Sequence, residues 1–410
     1  MKKSLWKNNF KEIIKTRRRF VSILIMAFLG VGFFSGLVAT SPDMKDSLDK
    51  YADSTNLFDI DVVSTLGLTD DDVNAINNID GIESAYGVKS KDSIVEFDEK
   101  ESICKVIEYN ENSNVPVIVC GRLPELSNEC LLDAKYSIIN DMQSYIGKKI
   151  VVGNDDFAQK EFTVVGIVES PLYISNERGN TSIGKGSIDF YIYVKDDVIN
   201  IDYYTNIYAI VDNARGVEVN SDNYWNLVNP VIEKIENIKQ EREDARYNQL
   251  INEAAIKFNE SQKSPNIEKA KWYVRNRKDN TGYTNMIDAI KTLNNIAKLF
   301  PVIFYLIAIL ISLTSMTRMV EEERIEIGTL KALGYTNFQI ILKYVLYSLL
   351  ACIIGGVLGM TVGFYLIPNI VWNIYSAIYT IPKFYSTYRL EIGLKGLIIA
   401  FACIGGATLL

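Results

Sequence analysis

Gly179-Asn180-Thr181-Ser182-Ile183-Gly184-Lys185 reproduces the first seven positions of a phosphate-cradling loop, in which backbone N–H groups and a lysine hold a nucleotide's phosphates. The eighth position argues against it. Gly186 stands where a Ser or Thr hydroxyl must hold Mg²⁺, and the IDFYIYV that follows reads as a strand where such a loop needs a helix. A loop or hairpin tip is the reading that remains. The chain contains no histidine, which removes His-dependent triads and His-ligated metal sites. Of its five cysteines, Cys352 and Cys403 sit in apolar runs, where a thiol packs as a small hydrophobe. Cys104, Cys120 and Cys130 lie in a polar block, and no CxxC pair occurs, so neither a zinc ribbon nor a thioredoxin-like site is indicated. Free thiols are expected, with a Cys104–Cys120 bridge as the alternative. No nucleophile–base pair stands out, no cofactor-binding or metal-binding residue is singled out, and an enzyme is the weakest of the function classes.

The elements that would position any site fall into two kinds. Hydrophobic residues make up 48% of the 410, yet they are gathered into runs on either side of a polar block from about Ser41 to Lys298. That division is the mark of a membrane protein carrying a water-soluble domain. The net charge of −7 resides mainly in the polar block and gives no support for a nucleic-acid partner. Residues 1–19 hold eight Lys and Arg against the single acid Glu12, with Trp6, Phe10, Ile13 and Ile14 at helical spacing. This predicts a basic amphipathic helix on the inner leaflet of the lipid bilayer. The run 20–40 follows as a first span, with a cleaved signal peptide as the rival reading. By the positive-inside rule the N-terminus is cytoplasmic and the polar block lies outside.

Within that block, 41–225 reads as short strands and turns with one early helix, an α+β domain. Thr69 is the expected N-cap of that helix and Gly81 its stop. The block 226–298 reads as a helical stalk, with Leu227, Val231, Ile235 and Ile238 as one stripe, and a second helix over Ile267 to Lys278. An amphipathic hairpin packed on its own domain is the alternative. Spans follow at 299–317 and 344–370, an aromatic-rich outer loop at 371–391, and a fourth span at 392–410 that looks cut within or at its end. Gly32 and Gly36 in the first span, and Gly355, Gly359 and Gly363 in the third, make small-residue faces for close helix packing.

Between the second and third spans lies 318–343, RMVEEERIEIGTLKALGYTNFQIILK. Ile325, Ile327, Leu330 and Leu333 give it a short amphipathic helix, Gly334 stops that helix, and Asn337 is a candidate cap for the next. This stretch resembles the cytoplasmic loop of the FtsX/MacB-type permeases of ABC transporters (the FtsX-like permease family). WYVRNRKDNTGY (Trp272 to Tyr283) with FPVIFYLIAILISLTSMT resembles the approach to the second span in large members. The order strand–helix–strand, GRLPELSNECLLD, FTVVGIVESPLYIS resembles the MacB-like extracytoplasmic core domain. The chain is similar to the first half of a large family member.

The resemblance implies a fold of four transmembrane helices bundled beneath an extracytoplasmic α+β domain and a helical stalk, placed in the cytoplasmic membrane. It implies a separate cytoplasmic ABC ATPase subunit as partner, and a second permease half or a homodimer. ATP-driven motion would pass through the loop helix to the outer domain, for export, extraction or mechanotransmission of peptide, lipid, lipoprotein or antimicrobial cargo. The ATPase-coupling residues would be Glu326, Ile327, Gly328, Leu330, Lys331, Ala332, Leu333 and Gly334. Ile327, Leu330 and Leu333 would share one face and fill a groove on the partner, while Glu326 and Lys331 orient the contact. The alternative function is a membrane-anchored receptor or a cell-wall-hydrolase regulator without transport.

Overall fold

The computed structural model describes residue 13 and residues 16–136, 142–153, 156–258 and 268–409. The basic amphipathic helix expected over 1–19 therefore lies largely outside the described residues. In chain order the first elements are α1 (Arg17–Ser54), β1 (Ile60–Leu68), α2 (Asp70–Asn77), β2 (Ile82–Val88), β3 (Ser90–Phe97), β4 (Lys100–Glu108), β5 (Val117–Gly121) and β6 (Glu129–Asp133). There follow β7 (Lys149–Val152), β8 (Glu161–Glu169), β9 (Phe190–Val194), β10 (Tyr204–Val211), α3 (Asp222–Phe258) and β11 (Trp272–Asn276). The last four are α4 (Thr281–Glu322), α5 (Arg324–Ala332), α6 (Asn337–Tyr375) and α7 (Leu390–Leu409). Two compact units result. One is Met1–Asp46, Ile287–Ser376 and Phe384–Leu410; the other is Ser47–Met286 and Ala377–Lys383.

The first unit is a helical bundle. α1, α4, α6 and α7 are each long and apolar enough to cross a membrane. Their buried core joins Ile23, Ala27 and Val31 of α1 to Tyr305 and Ala308 of α4, Tyr347 and Ala351 of α6, and Ala400 and Ile404 of α7. The helices outrun the apolar stretches that predict them. α1 continues through Pro42 to Ser54, and α4 starts well before Leu299, with Pro301 in its interior. The reason is that an apolar run measures bilayer thickness, whereas a helix ends only where its backbone groups find other partners.

The second unit holds two sheets. Antiparallel β11-β1-β10-β2 carries α2 and α3 on one face. Along α3, Tyr224, Val228, Val231 and Ile235 are buried against Ile60, Val62, Ile207 and Ala209, while Leu227 and Ile238 flank them. The early helix begins at the expected cap, where the Asp72 carboxylate accepts the Thr69 N–H at 2.8 Å. Asp72 also accepts Arg242 Nε at 2.7 Å, which ties α2 to α3. Gly81 has φ +98°, a conformation side chains disfavour, and a Cβ there would lie 2.9 Å from Val231 Cγ2.

The second sheet closes on itself. β8 pairs with β6 along one edge and with both β5 and β7 along the other, so the circuit β8-β6-β9-β4-β3-β7 is a six-stranded barrel with β5 as a side strand. Its interior includes Phe97, Phe162, Phe190, Cys104 and Cys130. All five cysteines are unbridged. Burial pushes the Cys104 and Cys130 thiols up, so both stay protonated and inert.

One helix expectation is corrected. The segment predicted as a second helix over Ile267 to Lys278 contains strand β11, paired with β1 from Ile60↔Asn276 to Ser64↔Trp272, and a 3₁₀ turn at Arg277–Asp279. The helical block 226–298 is thus interrupted by a strand. Its residues alternate: Trp272 is buried and Tyr273 exposed, a period of two that suits a half-covered strand. Its outer edge is blunted, because the N–H groups of Trp272 and Asn276 donate to Glu243 Oε1 (2.6 Å) and Asp279 Oδ2 (2.8 Å). Buried Arg277 then staples the strand's end. It pairs with Asp59 Oδ1 at 3.0 Å and donates to the Phe58 and Leu57 carbonyls at 2.8 Å each. The Tyr224 hydroxyl donates to the same carboxylate at 2.7 Å.

Candidate coupling site

α5 is a nine-residue helix set between α4 and α6 by local chemistry at both ends. Glu323 separates it from α4. At its C-terminus Gly334 takes φ +86°, its N–H donates to Lys331 O at 3.0 Å, and the Tyr335 N–H donates to Leu330 O at 3.1 Å. Those two bonds form a Schellman stop, accompanied by packing of both Leu330 and Tyr335 on the bundle core. The next helix is capped one residue earlier than expected. Thr336, not Asn337, is the N-cap: Thr336 N–H donates to Gln339 Oε1 at 3.2 Å and Gln339 N–H to Thr336 Oγ1 at 3.4 Å. The Thr-x-x-Gln spacing is a capping box, and a threonine in the extended region fits it without moving Asn337 out of the helix.

A buried charge fixes α5 to α6. Lys343, 5% exposed, places Nζ 3.2 Å from Glu323 Oε2 and 3.2 Å from Glu326 Oε1. The Tyr344 hydroxyl donates to the same Glu323 oxygen at 2.7 Å. Beside it, Glu322 pairs with Arg19 at 2.6 Å and Arg318 at 3.1 Å. An ammonium withdrawn from water is tolerated only when paired and hydrogen-bonded. Lys343 therefore depends on both glutamates, and each glutamate is held where Lys343 can reach it. Glu326 serves this internal pair rather than standing free at the rim.

The apolar face divides. Ile327 and Leu330 are half-buried against the bundle core. Ile325 (87% exposed), Leu333 (71%) and Phe338 (73%) point out, next to exposed Gly328, Lys331 and Ala332. Residues at i, i+3 and i+6 advance by about 300° at each step, so Leu333 lies roughly 120° from Ile327. The three expected to share a face do not.

Four of the five glycines singled out for helix packing meet across α1 and α6, and the fifth, Gly355, meets Leu24 and Ala27. A Cβ on Gly32 would stand 3.0 Å from Gly359 O, and one on Gly36 2.6 Å from Gly363 O. Any Cβ on Gly355, Gly359 or Gly363 would run into the backbone carbonyls of Leu24, Phe28 and Gly32. α1 and α6 thus touch backbone to backbone. At the other end of α1, Arg389 pairs with Asp43 (3.1 Å) and Asp46 (2.6 Å).

Residues 298–410 match the family model described as FtsX-like permease C-terminal, and residues 20–223 that of the MacB-like periplasmic core domain. Among curated proteins none matches. Among solved structures, the chain is similar to the extracellular domain of YknZ, a noncanonic ABC-type transporter from Gram-positive bacteria, at 14% identity, covering 42% of this chain and 92% of that one, TM-score 0.27. It is also similar to the periplasmic region of MacB from Actinobacillus actinomycetemcomitans, at 11% identity, covering 57% and 92%, TM-score 0.30.

Two outcomes follow from this geometry. Lys343→Met removes the cation that two carboxylates share, and loosening of α5 should cost about 3–5 kcal/mol. Amide hydrogen exchange over 324–332 should accelerate accordingly, and the exchanged pair Glu323→Lys with Lys343→Glu should restore part of the protection; unchanged exchange in Lys343→Met would refute the role given to this lysine. Gly359→Leu drives a side chain into the Phe28 carbonyl and should cost about 1–3 kcal/mol or more. Its thermal midpoint in detergent should fall well below wild type, whereas an equal midpoint would show that α1 and α6 have room to spare.

Proposed function

Because the chain belongs to the FtsX/MacB-type permeases of ABC transporters, we propose that it transmits the movement of a separate cytoplasmic ATPase to its own extracytoplasmic domain. Nucleotide binding and hydrolysis belong to that partner. The work done is export, extraction or mechanotransmission acting on peptide, lipid, lipoprotein or antimicrobial cargo.

One observation carries the reading. Exposed Ile325, Leu333 and Phe338 surround a helix that a buried lysine locks to the start of α6. A few apolar anchors in a partner's groove supply most of an interface's energy. A lock behind them prevents a push from being spent on bending α5. Glu326, Ile327, Leu330 and Gly334 then act from behind, by holding the helix in place. Gly328, Lys331, Ala332 and Leu333 face the ATPase.

The proposed orientation puts 318–343 and the N-terminus in the cytoplasm and the strand-bearing unit outside, which the basic residues of 1–19 support. In a cysteine-free background, an impermeant thiol reagent on intact cells should label Ser187→Cys and spare Thr329→Cys. The reverse pattern would end the proposal. Co-expression with a candidate ABC ATPase from the same organism provides the second test. Wild type should retain the ATPase through purification, and Leu333→Asp should lose about 1–3 kcal/mol of the association, several-fold to a hundredfold. If Leu333→Asp and Ile325→Asp both insert normally and still hold the ATPase, α5 is not the coupling element, and a receptor acting without an ATPase becomes the better account.

A further inference from the structure

The unit formed by Ser47–Met286 and Ala377–Lys383 contains a cleft of about 1040 Å³. Its floor is the face of the β11-β1-β10-β2 sheet turned away from α2 and α3, one wall comes from β3 and β4, and its roof is the loop 172–188 between β8 and β9. The Gly179–Gly186 stretch belongs to that roof, as a turn with Asn180 bridged to Ser187.

On the floor, Arg275 Nη2 donates to Asp61 Oδ2 at 2.5 Å, and Asn206 Nδ2 to Asp61 Oδ1 at 2.8 Å. On the wall, Lys105 Nζ lies 3.3 Å from Asp92 Oδ1. In the first pair the acid recedes and the cation stands forward, while in the second the two are about equally exposed. Side-chain exposure is 9% for Asp61 against 44% for Arg275, and 23% for Asp92 against 28% for Lys105. Burial raises the Asp61 pKa and Arg275 opposes that rise; Lys105 and Arg275 both line the cleft. The Arg275 guanidinium has five donors, of which one is used on Asp61. The cleft is lined by the acids Asp61, Asp92, Glu177 and Asp279 as well as by cations, and within that balance Arg275 presents N–H donors that its own acid does not use. Opposite them, exposed Glu177 on the roof makes no ion pair among the described residues.

We propose that this cleft binds peptides by a terminal carboxylate, held by Arg275 and Lys105, with the peptide running beneath the 172–188 roof. Planar guanidinium donors suit a carboxylate, and an ammonium nearby adds charge without demanding geometry. The volume lies at the upper end of ordinary ligand sites and exceeds what a small acid fills. β-Strand addition is not the mode, because the N–H groups at both ends of the β11 edge are already taken by Glu243 and Asp279. The roof is also a junction. Leu172 O accepts from Asn280 Nδ2 at 3.0 Å, Ile174 O accepts the Thr380 N–H at 2.7 Å, and Asn176 Nδ2 donates to Ala377 O at 3.1 Å. A ligand under this loop bears on the segment that begins α4 and on the one that links α6 to α7. The inference goes beyond the proposed coupling function and needs no ATPase to hold.

The test uses the full chain in detergent and equilibrium dialysis against two probes, a pool of N-acetylated hexapeptides with free carboxyl termini and the same pool amidated. The free-acid pool should be retained about tenfold more, and Arg275→Gln or Lys105→Gln should remove that preference. Because Arg275→Gln strips a buried acid of its partner, the double variant Asp61→Asn with Arg275→Gln guards against misfolding and should also lack the preference. Equal retention of the two pools, retention of neither, or a preference that survives in all three variants would overturn the proposal. None of these results depends on whether the ATPase co-purifies.

Discussion

Three backbone carbonyls, those of Leu24, Phe28 and Gly32, lie so close to α6 that the facing positions admit no side chain at all. The bundle depends on this contact. In a bilayer, apolar side chains gain nothing by leaving lipid for protein, so association rests on close packing rather than on hydrophobic burial. Two helices can press backbone to backbone only where a side chain is missing from the contact on at least one of them. Gly32 and Gly36 on one, and Gly355, Gly359 and Gly363 on the other, supply that along a single strip. The larger residues of the core, Tyr305 and Tyr347 among them, fill around a spacing the glycines have already set.

A fixed helix spacing gives the buried lysine its value. Lys343 occupies the second turn of α6, and its two partners sit at the start of α5. If α6 could slide or roll, the ammonium would trade its carboxylates for water. Held by glycine contact on one helix and by ion pairs on the next, α6 is committed on two sides. The exposed apolar residues around α5 are then presented by a helix with little freedom of its own.

What could be read from the chain follows the range of the interaction involved. Apolar runs, the Gly334 stop and the Thr69 cap are decided within a few residues, and the sequence displays them directly. The two glycine sets were visible as small-residue faces, though nothing in the spacing says that they face each other. Strand β11 escaped because five residues between charged stretches carry too little periodicity to tell a strand from a helical turn, and only Trp272 meeting the sheet core decides it. The division of the α5 face needed the position of the bundle core, which turns Ile327 inward and leaves Leu333 out. Lys343 reads as one more charge flanking a span until Glu323 is brought beside it. The cleft was out of reach for the same reason: Asp61, Lys105, Asn206 and Arg275 come from four separated strands.

The barrel and the open sheet differ in how many ladders hold each strand. Every member of the circuit β8-β6-β9-β4-β3-β7 has a neighbour on both sides, so no strand can leave without breaking two rows of hydrogen bonds. β11 has one row, to β1, and its other edge is finished by side chains. Under tension along the chain the hoop would behave as a stiff ring and the open sheet as a spring with a free end. That free end is the strand that leads, through Arg277 and three further residues, into α4. Of the open sheet's two edge strands, β11 and β2, it is β11, held by a single ladder, that leads into a helix long and apolar enough to cross a membrane.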